Sequence, residues 1–399
     1  MKRIGITTMY TDSTNYGGLL QAYALCKRFE QMGYAAEQIR FRDGQRAGAE
    51  RRKEALRTNS LPEIIRLARI SLNVRYRAFL KKMFQNEDLA QRKQAFAAFR
   101  DSIPHSDEIY ESDAMEQAEN NYDYFAAGSD QIWFPGGYEP AYYLEFVHNK
   151  PKFSYAASMA VDDLTEKEKL QYKERLKDFI GVSVREKSGI HALEGVSPVP
   201  VQQVLDPTML LSAEQWDEVC ADRLIPEDYI FCYYLGDDVE ARELTNAFAA
   251  RMGLKIVTLP YLLGEYRKCD SNFGDVQLYD VSPNRFLSLI KHASFVFTDS
   301  FHASVFSIIY RKKFFVFTRK GHANMTSRIV SLLNLVGGQD SFCDTEEKQT
   351  LDYLLQNADV PSVRDDRPLT EMREKSNRYL TETLAAAERF GAVHEHEKP

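Results

Sequence analysis

The chain has 399 residues, 44% of them hydrophobic and 27% charged, which suits a folded globular protein long enough for two domains of ordinary size. A net charge of −7 argues against nucleic acid as a partner. Five scattered cysteines (Cys26, Cys220, Cys232, Cys269, Cys343) without a C-x-x-C pair argue against a disulfide framework or a zinc site, and no apolar run has signal-peptide or membrane-span length, so a cytoplasmic location is expected.

Arg3 to Met9 reads as a first strand, followed by a loop ending in Gly17 and Gly18 and a helix from Leu19 to Met32. Strand, glycine-containing loop and helix open a Rossmann-like unit. The loop is not G-x-G-x-x-G, so no dinucleotide is implied. The two glycines either let a ligand approach the backbone or make the turn. Residues 40–100 hold 16 Lys and Arg against 6 Asp and Glu, so the rest of the chain is more acidic than the whole. Most of this stretch reads as helix, and about 44–102 is expected to be a basic helical insertion. Arg66, Arg69, Arg77 and Lys81 share one third of a helical wheel. Two readings stand. One is a basic face making peripheral contact with the inner face of a membrane, or with a lipid-linked diphosphate acceptor. The other is a solvated helix.

Tyr122–Ala127 is the next strand, with Gly128, Ser129 and Asp130 at its C-terminal end. Gly128 permits close approach, and Ser129 and Asp130 can hydrogen-bond sugar hydroxyls. Trp133 either stacks on a sugar ring or fills the core. Phe153–Ser158 is a further strand and loop, and a charged helix over 164–178 starts with a Thr165/Glu168 capping box. Ile180–Val184 is a strand that delivers Arg185 to a ligand crevice, where a guanidinium suits phosphate or carboxylate. As a lone arginine it is equally a surface ion pair.

Val204–Thr208 looks like a crossing between halves, with Asp206 as a turn initiator. Strands are expected at Tyr229–Leu235, Leu254–Leu259, Phe295–Thr298 and Phe314–Phe317, with helices between them. Phe295–Thr298 carries the most informative junction. Asp299 and Ser300 interrupt the apolar run, either suits an N-cap, and a mostly apolar helix follows. His302 falls in its first turn, where free backbone amides favour an anion. It is a candidate proton donor there, against the alternative of a core histidine. Arg328 lies after the last strand as a second candidate anion contact. The tail from about 368 reads as one helix. The plan is α/β, two Rossmann-like domains in a GT-B-like arrangement, with the helical insertion in the first. Boundaries are expected at 1–203, 204–345 and 346–399. No metal is required, since no His, Cys and carboxylate cluster has ligand spacing.

In this order the segments resemble the polysaccharide pyruvyl transferase family. They are Asn15-Tyr16-Gly17-Gly18-x-Leu20-Gln21-Ala22-Tyr23-Ala24-Leu25, Gly128-Ser129-Asp130-Gln131-x-Trp133, Ser154–Ser158, Ser183-Val184-Arg185-Glu186, Leu205–Thr208 and Thr298–Ala303. The resemblance implies transfer of a pyruvyl (carboxyethylidene) group from phosphoenolpyruvate to two hydroxyls of a sugar in a glycan precursor, giving a cyclic ketal and phosphate. Phosphoenolpyruvate is then a co-substrate, and no separate cofactor is implied. Arg185 looks like the arginine that holds the donor, and His302 like the general acid. Ser300, Phe301, Lys187 and Arg328 would complete the donor side. Asn15, Gly17, Gly18, Gly128, Ser129, Asp130 and Trp133 would face the acceptor, lipid-linked or otherwise. Ser300 stands where some members have a second arginine, so one anion contact is either missing or supplied elsewhere, by Lys187 or Arg328. The alternatives are a GT-B glycosyltransferase using a nucleotide sugar and a non-catalytic glycan-binding protein on the same fold.

Overall fold

The structure, a computed structural model, describes residues 1–42, 90–111, 114–262, 267–319 and 323–396. The basic face of Arg66, Arg69, Arg77 and Lys81 lies outside the described residues. The first half contains β1 (Arg3–Thr7), α1 (Tyr16–Gln31), β2 (Ala35–Arg42), helical residues 90–102 (α2), β3 (His105–Glu111) and β4 (Tyr124–Ala127). It continues through β5 (Lys152–Ser154), α3 (Glu166–Leu176), β6 (Phe179–Val184), α4 (Lys187–Ala192) and β7 (Val201–Gln203). These strands form one seven-stranded parallel sheet in the order β3-β2-β1-β4-β5-β6-β7.

After a short helix, α5 (Ala213–Asp217), the second half runs β8 (Tyr229–Tyr233), α6 (Val239–Met252), β9 (Lys255–Thr258), β10 (Val276–Gln277), α7 (Pro283–His292) and β11 (Phe295–Thr298). Then come α8 (Phe301–Ile309), β12 (Lys313–Phe317), α9 (Ala323–Asn334) and β13 (Phe342–Cys343). Its six strands are also all parallel, ordered β10-β9-β8-β11-β12-β13. The chain ends in α10 (Leu351–Asn357) and the long α11 (Arg367–His396). The arrangement is the two-Rossmann, GT-B-like plan expected from the sequence.

Local chemistry explains most elements. The central strands β4, β8 and β11 are buried throughout, and they read as continuous apolar runs because helices cover both faces of a parallel sheet. The Thr165/Glu168 capping box starts α3, and Asp238 caps α6, which stops at Gly253 with φ +67°. Helix α1 begins at Tyr16, earlier than expected, because Asn15 is its N-cap and accepts from the Gly18 amide at 3.4 Å. Gly17 and Gly18 are therefore helical. Strands β2 and β3 were not anticipated, since their charged residues mask the alternation of buried positions.

The inner faces of both sheets share one buried core. It runs from Ile4, Leu20 and Phe29 through Leu205 and Trp216 of the crossing to Phe231, Phe286 and Phe306. Helix α11 returns to the first sheet. Its Tyr379 hydroxyl donates to the Ser154 carbonyl at 2.7 Å, and its Ser376 hydroxyl accepts from the Leu205 amide at 2.9 Å. Gly181 gives α11 its approach, since a Cβ there would lie 2.9 Å from Thr383 Cγ2. A large apolar interface of this kind holds two domains as one body. Unfolding is therefore expected as one cooperative urea transition, and Leu380→Ala, at a fully buried position, should cost about 2–5 kcal/mol in that single transition. Two resolved transitions would contradict the shared core.

Candidate active site

Each sheet reverses its strand order once, between β1 and β4 and between β8 and β11. Open α/β sheets bind ligands at the carboxyl end of such a point. The helices that follow β1 and β11 meet there. A Cβ on Gly17, in the first turn of α1, would lie 2.0 Å from Nδ1 of His302, in the first turn of α8. Two helix N-termini, one from each domain, thus converge on the histidine. Asn15 and Ser300 each cap one first-turn amide, from Gly18 and Ala303. Helix geometry leaves the other early amides without an intrahelical partner, and the aligned dipoles favour negative charge.

At the centre is the fully buried carboxylate of Asp206, from the crossing segment. Its Oδ2 accepts from Arg185 Nη1 at 2.7 Å and from the Ser129 hydroxyl at 3.4 Å. Its Oδ1 accepts from the Thr208 amide at 3.0 Å and hydroxyl at 2.6 Å. His302 Nε2 lies 3.5 Å from Oδ2, within ion-pair range, and makes no hydrogen bond among the described residues. Burial alone would push the Asp206 carboxyl up. The His302 ring, Arg185 and the Thr208 hydroxyl outweigh it and hold the carboxyl well below the usual carboxylate range.

Arg185 leaves the end of β6 and is buried. Beyond the regular strands, single bridges link Asp130 to Ala157 and Ala157 to Val184, so Asp130 and Arg185 come into one row. Asp130 Oδ1 stands 4.0 Å from Arg185 Nη2, and Glu186 Oε1 stands 3.5 Å from its Nε. The Phe301 ring packs under the guanidinium, 4.7 Å from its centroid. Asp130 has φ +71°, a left-handed conformation that a non-glycine residue adopts at a cost of about 1–3 kcal/mol, common at ligand sites. Arg328 of α9 is also buried, 3.8 Å from Glu186 Oε1. Burial and then the nearby Arg185 charge lower its pKa to about 10, and the one Glu186 oxygen stands near both guanidiniums, 3.5 Å from Arg185 and 3.8 Å from Arg328. A cavity of about 220 Å³ opens there, lined by Arg185, Phe301 and Arg328, with Leu332 and Met372 on its apolar side.

Arg185, Phe301 and Arg328 line this cavity with Lys187 exposed at its rim, while His302 is outside that lining, 3.5 Å from Asp206 on the Gly17 side. The structure reassigns several other residues. Trp133 does not offer a stacking face: it is fully buried, its indole donates to the Tyr142 carbonyl at 3.0 Å, and Tyr143 stacks on it. Gly17 is approached by His302, and Gly128 by Thr8 and Ile6 of the first strand region, so neither glycine is kept open for a ligand. The Gly18 Cα faces Ser13. Ser300 is spent as a helix cap, and Ser129 donates to Asp206. Asn15 is exposed beside the cleft. Asp206 and Glu186 were not singled out from the sequence. Both lie in resemblance segments, and each is a short acidic interruption at a strand end, which was the available signal. Asp299, expected as an alternative cap, instead accepts from the Leu235 and Gly236 amides at 2.6 Å each. Arg319 donates to its carbonyl at 2.9 Å.

The family profile described as "Polysaccharide pyruvyl transferase" matches residues 15–321. No curated protein matches the chain in sequence. Among solved structures, the UDP-GlcNAc 2-epimerase from Methanocaldococcus jannaschii is similar at a TM-score of 0.53 and 10% identity, over 96% of this chain and 99% of that one. A second UDP-N-acetylglucosamine 2-epimerase is similar at 0.52 and 12% identity, over 100% and 98%. At such identities the likeness is one of fold.

Asp206→Asn should leave the buried Arg185 without its nearest counter-charge and destabilise the fold by about 3–5 kcal/mol near neutral pH. The wild-type carboxyl is depressed on folding, so its contribution is present above the unfolded value of about 3.9 and is lost as pH falls through the lower folded value. Urea midpoints should therefore separate wild type from variant at pH 7 and begin to converge only as pH falls below about 4. A gap that stays constant with pH would contradict this.

Proposed function

From the premise that the chain belongs to the polysaccharide pyruvyl transferase family, we propose that it moves a pyruvyl group from phosphoenolpyruvate onto two hydroxyls of a sugar in a glycan precursor, in the cytoplasm. The observation that carries the reading is the placement of Arg185, fixed by Asp206, beside a histidine at two converging helix N-termini. Arg185 and Arg328 hold the donor's anionic groups. His302 delivers a proton to the donor methylene, which becomes a methyl group, and C2 becomes an oxocarbenium-like electrophile. One sugar hydroxyl adds to C2, phosphate departs, and the second hydroxyl closes the ketal. Of the two hydroxyl protons, one ends in the methyl group by way of His302 and the other leaves with phosphate. Asp206 Oδ2 faces the ring, 3.5 Å from Nε2. The acceptor approaches from the first domain, past Asn15 and Asp130.

A second reading is a GT-B enzyme acting on a nucleotide sugar. Its support is the fold shared with the two epimerases, whose names specify UDP-GlcNAc. At the end of β8, however, the loop amides that could meet a diphosphate are held by Asp299, which would have to withdraw. Incubating the protein with phosphoenolpyruvate and a panel of sugar acceptors, followed by phosphorus and proton NMR, separates the two. The expected result is acceptor-dependent phosphate release with a new ketal methyl signal, lowered about 10²- to 10⁴-fold by His302→Gln. Turnover of UDP-GlcNAc, with phosphoenolpyruvate inert, would establish the second reading instead.

A further inference from the structure

His302 rests against Gly17, and the backbone around Gly17 is held by its neighbours. Thr14 and Tyr16 are both gripped by Arg92, a buried residue of α2. One Nη donates to the Tyr16 hydroxyl at 3.0 Å and the other to the Thr14 carbonyl at 3.1 Å. The guanidinium lies 4.6 Å from the ring centroids of both Tyr16 and Phe96. The Tyr16 hydroxyl in turn donates across the domain boundary to the Val281 carbonyl at 2.8 Å. Its ring stacks on Phe286 of α7 at 4.2 Å and 9°. The two gripped residues flank Asn15, the cap of α1, and Tyr16 immediately precedes Gly17.

We infer that Arg92 and Tyr16 are positioning residues for His302, acting through the first turn of α1. Neither touches the histidine. Arg92 fixes the loop that enters α1, Tyr16 pins the start of α1 to the second domain, and Gly17 then presents the surface on which the imidazole rests. The buried, planar fork of Arg92 satisfies two acceptors at once, which a lysine ammonium on a flexible stem does less rigidly. The helix that follows the basic segment is thereby coupled to the candidate proton donor. The inference rests on the proposed role of His302 only for its catalytic consequence.

The imidazole itself reports the coupling, without substrate. In protein labelled at histidine Cε1, the His302 signal is assigned by its loss in His302→Gln. Arg92→Gln, Tyr16→Phe and Gly17→Ala are each expected to move that signal and its titration curve, Gly17→Ala the furthest. Lys93→Gln, at an exposed position of the same helix, should leave it in place. The Arg92→Gln/Tyr16→Phe pair should move it no further than the stronger single change, because both act through one chain of contacts. Arg92→Lys, which keeps the charge, replaces Arg92→Gln if the latter fails to fold, and should give a partial shift. A wild-type His302 signal in folded Arg92 and Tyr16 variants would overturn the inference, as would an equal shift in Lys93→Gln. Where pyruvyl transfer is measured, Tyr16→Phe should lower kcat about 10- to 100-fold with little change in KM. A failed turnover assay with a moved His302 signal would sink the reaction and leave the positioning standing. The reverse pattern would do the opposite.

Discussion

A single buried carboxylate organises the cleft. Asp206 comes from neither sheet but from the segment that crosses between them, and it gathers Arg185 and Ser129 from the first domain while facing His302 from the second. A lone carboxylate without access to water would be costly. Here Arg185, the Thr208 amide and the Thr208 hydroxyl compensate it. The same carboxylate fixes Arg185 beside the point that His302 faces, so the solution to a burial problem also places the arginine of the site.

The fold holds the two domains together. The inner faces of the two sheets bury one continuous core, and α11 returns across the first sheet to close it. Tyr16 adds a directed contact across the boundary, combining a stacked ring with a hydrogen bond to Val281. Arg185 faces three carboxylates, Asp206, Glu186 and Asp130, so negative charge outnumbers it locally. At Arg328, burial and then the neighbouring Arg185 depress the guanidinium, while Glu186 and Asp130 act in the opposite direction. The cavity runs along the Arg328 side, while the histidine sits on the Gly17 side.

Much of the fold was legible because parallel strands covered on both faces must be apolar throughout, as at Phe295–Thr298. Edge strands were not: β3 is mostly exposed and reads His-Ser-Asp-Glu, without the alternation that marks a half-buried strand. His302, Arg185 and Arg328 could be placed from strand ends and helix starts, since local order dictates them. Trp133 could not, because whether an aromatic after a strand faces a cleft or a core depends on the fully buried packing of Tyr143, Phe179 and Tyr172 around it. Asp206 looked like a turn initiator, and it does accept from Thr208 two residues on. Its second oxygen, and with it the site, depends on partners 21, 77 and 96 positions away, which no local pattern encodes.

Isothermal titration of phosphoenolpyruvate into wild type, Arg185→Ala and His302→Ala tests this construction most directly. The expected result is binding by the wild type, its loss in Arg185→Ala and its retention in His302→Ala, which would separate the anion-holding residue from the proton-donating one. Wild-type protein that is folded yet takes up no phosphoenolpyruvate would contradict the account.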